Sequence, residues 1–175
     1  RAFNELADWT TQEDAAVRYF SGRASYRNEI RMEASRLQRM ESVQLDLGQV
    51  CDVVTVFVNG ERIANLWKPP YVAEIGQALK PGNNTVRLDV VNTAVNRMIG
   101  DEYLPNDLQI NGHLRSLFPG AKVVSWPDWV DAPDTRDSDR TTFVTYNFFE
   151  RNSPLEPSGL IGPAVIHHRV SRPKR

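Results

Sequence analysis

The stretch DVVTVFVNGERIANLW, residues 52–67, decides the fold reading. Two strand-like runs flank Asn59-Gly60, the strongest short hairpin signal, because a type I′ turn needs positive φ at both central positions. On its N-terminal side, SVQLDLGQV (residues 42–50) alternates Val43, Leu45 and Leu47 against Gln44 and Asp46, as a half-buried strand does. On its C-terminal side, YVAEIGQALKPGNNTVRLDVVN (71–92) gives a short edge, a turn at Lys80-Pro81-Gly82-Asn83-Asn84, and a strand from Thr85 to Val91. Further out, RYFSGRASYRNEIRM (18–32) alternates, with Phe20, Gly22, Ala24 and Tyr26 on the parity that suits a core. ADWTTQEDAAVRYF (7–20) reads as a helical turn capped by Thr10 or Thr11.

Helical periodicity is weak throughout, and short strands separated by glycine, proline and asparagine turns predict an all-β sandwich or barrel. Residues 92–140 are less regular and read as one long excursion with proline breaks and acidic side chains. RTTFVTYNFF (140–149) resumes alternation, and SPLEPSGLIGPAVIHHRV (153–170) reads as a corner followed by a last strand. The 175 residues are expected to form a single domain spanning 1–175.

Composition narrows the function classes. Twenty-one lysines and arginines nearly balance 22 aspartates and glutamates, so no whole-domain field draws the chain to nucleic acid or an anionic membrane, and neither partner is expected. No run approaches the length of an apolar membrane span, and nothing near Arg1 resembles a signal peptide. The chain begins without methionine and reads as a processed product or a domain cut from something larger. Cys51 is the only cysteine, so an intrachain disulfide and a thiolate metal cluster are both ruled out, and its strand-like neighbours suit a small core side chain. His113, His167 and His168 form no metal signature, and no nucleophile elbow or phosphate loop is present. No cofactor is required by these residues. A structural calcium stays open, because one held by backbone carbonyls would leave almost no trace in a sequence.

The motifs YFSG (19–22), LWKPPY (66–71), NRMIGDEYLP (96–105) and PSGLIGP (157–163) occur in this order around VNG and the PGNNT turn. Together they resemble the galactose-binding-like β-sandwich domains attached to glycoside hydrolases. The series is most similar to the C-terminal sandwich of large bacterial α-L-rhamnosidases, and more distantly to the sugar-binding domain of the β-galactosidase and β-glucuronidase family. The resemblance implies a jelly-roll sandwich, 1–175, with one long irregular loop. Its implied role is carbohydrate-binding or accessory, beside a catalytic domain that 175 residues do not contain, in the breakdown of plant polysaccharides. The implied partners are an oligo- or polysaccharide and a catalytic glycoside hydrolase domain, and the implied setting is a secreted or periplasmic bacterial one.

Candidate ligand residues follow from side-chain chemistry. Trp67 and Tyr71, held by Pro69 and Pro70, could give a sugar ring a flat apolar platform with Lys68 beside it, or could equally cover a sheet corner. Asn96, Arg97, Asp101 and Glu102 suit paired sugar hydroxyls, but Arg97 could instead pair with Asp101 or Glu102 to fasten a loop. Trp126 and Trp129 could form a second platform or pin their own segment. Hydrolysis would need two carboxyl groups roughly 5–9.5 Å apart. Asp101 and Glu102 are neighbours that a strand would turn to opposite faces, and Asp128 is the candidate that could complete a pair. A small free-standing glycosidase and a purely structural domain packed on a catalytic barrel are the alternatives to a binding module.

Overall fold

The computed structural model describes residues 5–111, 122–143 and 148–170. His113 lies outside them, as do the central residues of RTTFVTYNFF. In chain order the strands are β1 (Arg23–Met32), β2 (Met40–Asp46), β3 (Gln49–Cys51), β4 (Val53–Val58), β5 (Glu61–Leu66), β6 (Val72–Glu74), β7 (Gly82–Val91), β8 (Gln109–Asn111), β9 (Lys122–Ser125), β10 (Gly159–Gly162) and β11 (Val165–Val170). The helices are α1 (Ala15–Arg18), α2 (Ala34–Leu37) and α3 (Val95–Asp101), with 3-10 turns at Trp9–Thr11, Gly76–Ala78, Asp128–Val130 and Pro133–Thr135.

The chain divides into two compact units. The first comprises residues 1–12, 21–93 and 157–175, and the second comprises residues 13–20 and 94–156.

In the first unit the hairpin forms where residues 52–67 place it. Asn59 (φ 52°) and Gly60 (φ 88°) occupy the two positive-φ positions, and β4 pairs antiparallel with β5. Asn59 also leaves the turn: its Nδ2 donates to Asn84 Oδ1 at 2.8 Å, and its Oδ1 accepts from Thr85 N at 3.1 Å. Asn84 is buried, and its amide group closes the turn that precedes it, accepting from Lys80 N and donating to Lys80 O, both at 2.8 Å. Buried amides of this kind must be satisfied, so the two turns hold one another. A four-stranded antiparallel sheet runs β1-β7-β4-β5, a three-stranded sheet runs β11-β2-β6, and β10 pairs with β3. The core is built from the alternating positions Val43, Leu45 and Leu47, Val54, Val56 and Val58, and Val86, Leu88 and Val90, with Tyr71, Ile75 and Leu160. Burying each such aliphatic side chain contributes about 1.5–3 kcal/mol. Cys51 is half-buried, and burial, then the neighbouring Asp52 carboxylate, pushes its thiol up.

PSGLIGP acquires a physical role here. Trp9 is buried, donates from Nε1 to the Tyr26 hydroxyl at 2.7 Å, and donates from its backbone N to Ser158 O at 3.0 Å. Gly159 has φ +93°, and a Cβ there would lie 2.4 Å from the Trp9 indole, so only glycine fits both the backbone and the space. Ser158 in turn accepts at Oγ from Asn92 Nδ2 at 2.7 Å, and Gly22 N donates to Asn92 Oδ1 at 2.9 Å.

The expected all-β jelly-roll sandwich with one long irregular loop does not hold. The described residues form a mixed α/β fold with separate sheets of four, three, two and two strands, interspersed with helices and 3-10 turns. The stretch expected to be a loop instead carries α3, β8, β9 and two 3-10 turns within the second unit. Helices of four, four and seven residues are too short to leave a 3.6-residue periodicity, which explains why the sequence pattern concealed them. The N-terminal turn also shifts: the Asp8 carboxylate caps Trp9–Thr11 and the Asp14 carboxylate caps α1, in place of Thr10 or Thr11.

Candidate functional site

The second unit is organised around a polar helix that turns its polar groups inward. Asn96 and Asp101 of α3 are buried together with Ile99 and Gly100. The Asn96 amide reads the backbone of Glu156 from both sides, donating to its O at 2.7 Å and accepting from its N at 2.9 Å. Asp101, at 0% exposure, accepts at Oδ2 from Thr141 N (3.0 Å), Thr142 N (2.7 Å) and Thr142 Oγ1 (2.8 Å), while Arg97 Nη2 lies 2.7 Å from its Oδ1. A buried carboxylate survives only with such a complement of donors and an opposing charge. Glu102 pairs with Arg140 at 2.7 Å, and Arg151 Nε donates to the Glu102 carbonyl at 2.6 Å. Asp101 and Glu102 thus belong to a helix end, not to a strand with opposed faces.

Among the described residues of this unit, two clefts stand out. The first, about 690 Å³, is bordered by Asn106, Asp107, Asp128, Trp129, Ser138 and Asp139. Pro127 leads into the 3-10 turn that carries Trp129, whose ring meets Phe143 nearly at right angles with centroids 4.9 Å apart. Arg136 lies over the same indole, its Cζ 4.6 Å from the centroid, while its Nε donates to Asp107 Oδ2 at 3.1 Å and its Nη2 to Thr142 O at 3.0 Å. Trp129 is therefore fixed on the cleft wall before any ligand arrives. Burial by itself would raise the Asp107 carboxyl, but the Ser138 hydroxyl and the Arg136 guanidinium outweigh it and hold the group below its usual range. The cleft thus offers an apolar indole beside carboxylate, amide and hydroxyl oxygens, the combination that suits a ligand with many hydroxyl donors.

The second cleft, about 560 Å³, is bordered by Arg18, Tyr19, Arg97, Tyr103, Leu104 and Asp139. The Tyr19 and Tyr103 rings lie 6.0 Å apart, and Gly100 leaves the space that Tyr19 fills, since a Cβ there would be 2.6 Å from its Cγ.

The candidates named from sequence fall into different environments. Trp67 is 67% exposed on the segment after β5, with Lys68 Nζ 5.1 Å from its ring centroid. Tyr71 is buried in the core of the first unit and donates its hydroxyl to Asp52 O at 2.8 Å, so it presents no ring beside Trp67. Asn96, Arg97, Asp101 and Glu102 lie in the internal network of α3, and of these Arg97 also borders the second cleft. Trp126 is 58% exposed, with its ring 6.1 Å from Phe143, whereas Trp129 and Asp128 line the first cleft. Sequence reading did not single out Arg18, Tyr19, Tyr103, Arg136 or Ser138. In the sequence Tyr19 falls on the parity opposite to Phe20, Gly22, Ala24 and Tyr26, where its role as the residue closing α1 is invisible. Among the described residues no group of three or more histidine, cysteine or acidic side chains could hold a metal ion, and no helix is long and apolar enough to cross a membrane.

No family model matches the chain. Over 170 residues, 97% of its length, it is 35% identical to the "Putative beta-glucuronidase" of Formosa agariphila, of which it spans 14%. The rhamnosidase of Novosphingobium sp. PP1Y superposes with a TM-score of 0.65 at 32% identity, covering 94% of the chain and 12% of that enzyme. The chain is similar in sequence and structure to one part of bacterial glycoside hydrolases. Both matches take in nearly the whole of it, both units included, while leaving most of each relative unmatched.

Proposed function

We propose that the chain is an accessory, carbohydrate-binding portion of a larger glycoside hydrolase of the rhamnosidase type, and that it holds glycan in the Trp129 cleft without cleaving it. The observation that carries this reading is the near-complete match to 12–14% of two much longer proteins whose names denote sugar cleavage. The cleft supports it: a fixed indole and surrounding oxygens suit stacking against, and hydrogen bonding to, a sugar ring. Two of the three carboxylates that sequence offered for hydrolysis, Asp101 and Glu102, are committed to internal pairs, while the third, Asp128, borders the Trp129 cleft. Asp101 has no exposed surface from which to reach a glycosidic bond, and Glu102 is engaged by Arg140.

The test is calorimetry of the purified chain with neutral rhamnose-containing oligosaccharides, with product release followed in parallel. Binding without release is expected, and Trp129→Ala should weaken it about tenfold or more, equivalent to about 1.4 kcal/mol, while Trp67→Ala changes it less than about twofold. Release of sugar that persists in Trp129→Ala, or binding lost only in Trp67→Ala, would overturn the assignment.

A further inference from the structure

We propose that the outer face of the four-stranded sheet β1-β7-β4-β5 is a second binding surface, suited to an anionic polysaccharide lying across the strands. It rests on the carbohydrate-binding reading above for the class of its ligand but uses a different site, confined to the first unit.

The register of the sheet sets Arg27 of β1 opposite Arg87 of β7, Arg87 opposite Phe57 of β4, and Phe57 opposite Arg62 of β5. Residues directly opposite share a face, so one row carries three guanidinium groups about a single aromatic ring. This is the solvent face. Val56, Val58, Val86 and Leu88 alternate with the row and are buried in the core, whereas Arg27 and Arg62 are exposed.

Like charges directly opposite destabilise a sheet, so the Arg27–Arg87 pair disfavours the fold unless an anion lies over it. Arg87 is compensated, with its Nε 3.4 Å from Asp89 Oδ1 and its Cζ 3.9 Å from the Phe57 ring centroid. Asp89 is itself shared, accepting from Ser25 Oγ at 2.7 Å. Arg27 and Arg62 have no such relief: among the described residues neither guanidinium makes a hydrogen bond or an ion pair. Glu29, opposite Thr85, is the other carboxylate beside this row, and it too makes no ion pair among the described residues. Arg23 and Arg31 flank it along the same face of β1, so positive charge exceeds negative there.

The spacing chooses the ligand. Neighbouring strands lie about 4.8 Å apart, so Arg27 and Arg62, separated by three such steps, are about 14 Å apart. A single carboxylate or sulfate cannot reach both, whereas a polymer with repeated anionic groups can. The adjoining row offers Ser25, Thr55 and Asn65, with Thr55 Oγ1 donating to Asn65 Oδ1 at 3.0 Å. A face of this composition is too polar for permanent burial under another domain. Its planar forks and neutral hydroxyls suit the carboxylate or sulfate groups and the ring hydroxyls of an acidic glycan.

The experiment is calorimetry of the full chain with a linear polyuronate, its carboxyl-reduced counterpart, dextran sulfate, neutral dextran and a single-stranded oligonucleotide. The polyuronate or the dextran sulfate should bind about tenfold or more tightly than its uncharged counterpart, and the difference should shrink at high salt. Which of the two binds more tightly identifies the anion. The double variant Arg27→Gln, Arg62→Gln should lose that preference, the corresponding double lysine variant should keep part of it, and Arg169→Gln, on β11 of another sheet, should keep all of it. Because Arg27→Gln removes the like-charge contact, the thermal midpoint of the double glutamine variant should equal or exceed that of the parent. The same variant should bind neutral rhamnose-containing oligosaccharides as the parent does, so this face and the Trp129 cleft can fail separately. A preference untouched in the double glutamine variant, a lowered midpoint, or equally tight binding of the oligonucleotide would overturn the surface. If the neutral oligosaccharides bind and neither charged polysaccharide does, this proposal alone falls, and if no carbohydrate binds, the reading it rests on falls with it.

Discussion

The polar network around Trp9 in the first unit and the one around Asp101 in the second perform the same task with different chemistry. Each ties stretches far apart in sequence: Trp9, Tyr26, Asn92 and Ser158 in one, Arg97, Asp101, Thr142 and Arg140 in the other. The first network works mainly through indole, phenol, amide, hydroxyl and backbone groups, with the Asp8 carboxylate accepting from Ser158 N at 3.0 Å, and relies on Gly159 to let the chain pass against Trp9. The second relies on paired charges, one of them fully buried. A neutral network loses roughly one hydrogen bond's worth of stability at a time, whereas a charged one fails abruptly, because removing one partner strands the other in a dry interior. The charged network reaches the second cleft through Arg97, so a residue that fastens the second unit also lies on a cleft wall.

That contrast can be broken by measurement. Asp101→Ala should have the largest effect, a loss of about 3–5 kcal/mol in urea unfolding, because Arg97 and the Thr141–Thr142 amides lose their acceptor together. A loss below about 1 kcal/mol would show that the charged network behaves like a surface pair. Gly159→Ala should come next, at about 1–3 kcal/mol from backbone strain with displacement of Trp9 in addition, read as a lower thermal midpoint and altered tryptophan fluorescence. Unchanged fluorescence would mean that the chain can pass Trp9 another way.

The smallest effect is the most discriminating. The Asp107 carboxyl is depressed in the folded state, so its contribution is complete above the ordinary carboxylate range and is lost as pH falls through the folded value. The stability difference between the protein and Asp107→Asn should therefore shrink below about pH 4, while the Gly159→Ala difference stays level over the same interval. Parallel pH profiles for the two variants would remove the distinction between the networks.

Much of the first unit was legible because its signals are local. Asn59-Gly60 sets its own turn through two φ angles, and Val43, Leu45 and Leu47 alternate because a strand sends successive side chains to opposite faces. The second unit was not legible for the converse reason. The seven residues Val95–Asp101 span under two helical turns, and their polar composition reads as surface until Thr141, Thr142 and Glu156 arrive from 40 to 60 residues away. The same holds for the aromatics. Pro69-Pro70 suggested that Trp67 and Tyr71 act together, yet packing draws Tyr71 into the core and leaves Trp67 outside.

By itself, then, the sequence determined the hairpins, the alternating core strands, the near-neutral charge and the resemblance to sugar-enzyme domains. Only the tertiary structure decided that short helices interrupt those strands, that Asp101 is buried and committed, and that Trp129 and the Arg18–Tyr19–Arg97 group border clefts. The physical reason is range: turns and strand faces depend on backbone angles within a few residues, whereas burial and the pairing of charges depend on partners that only the folded chain brings together.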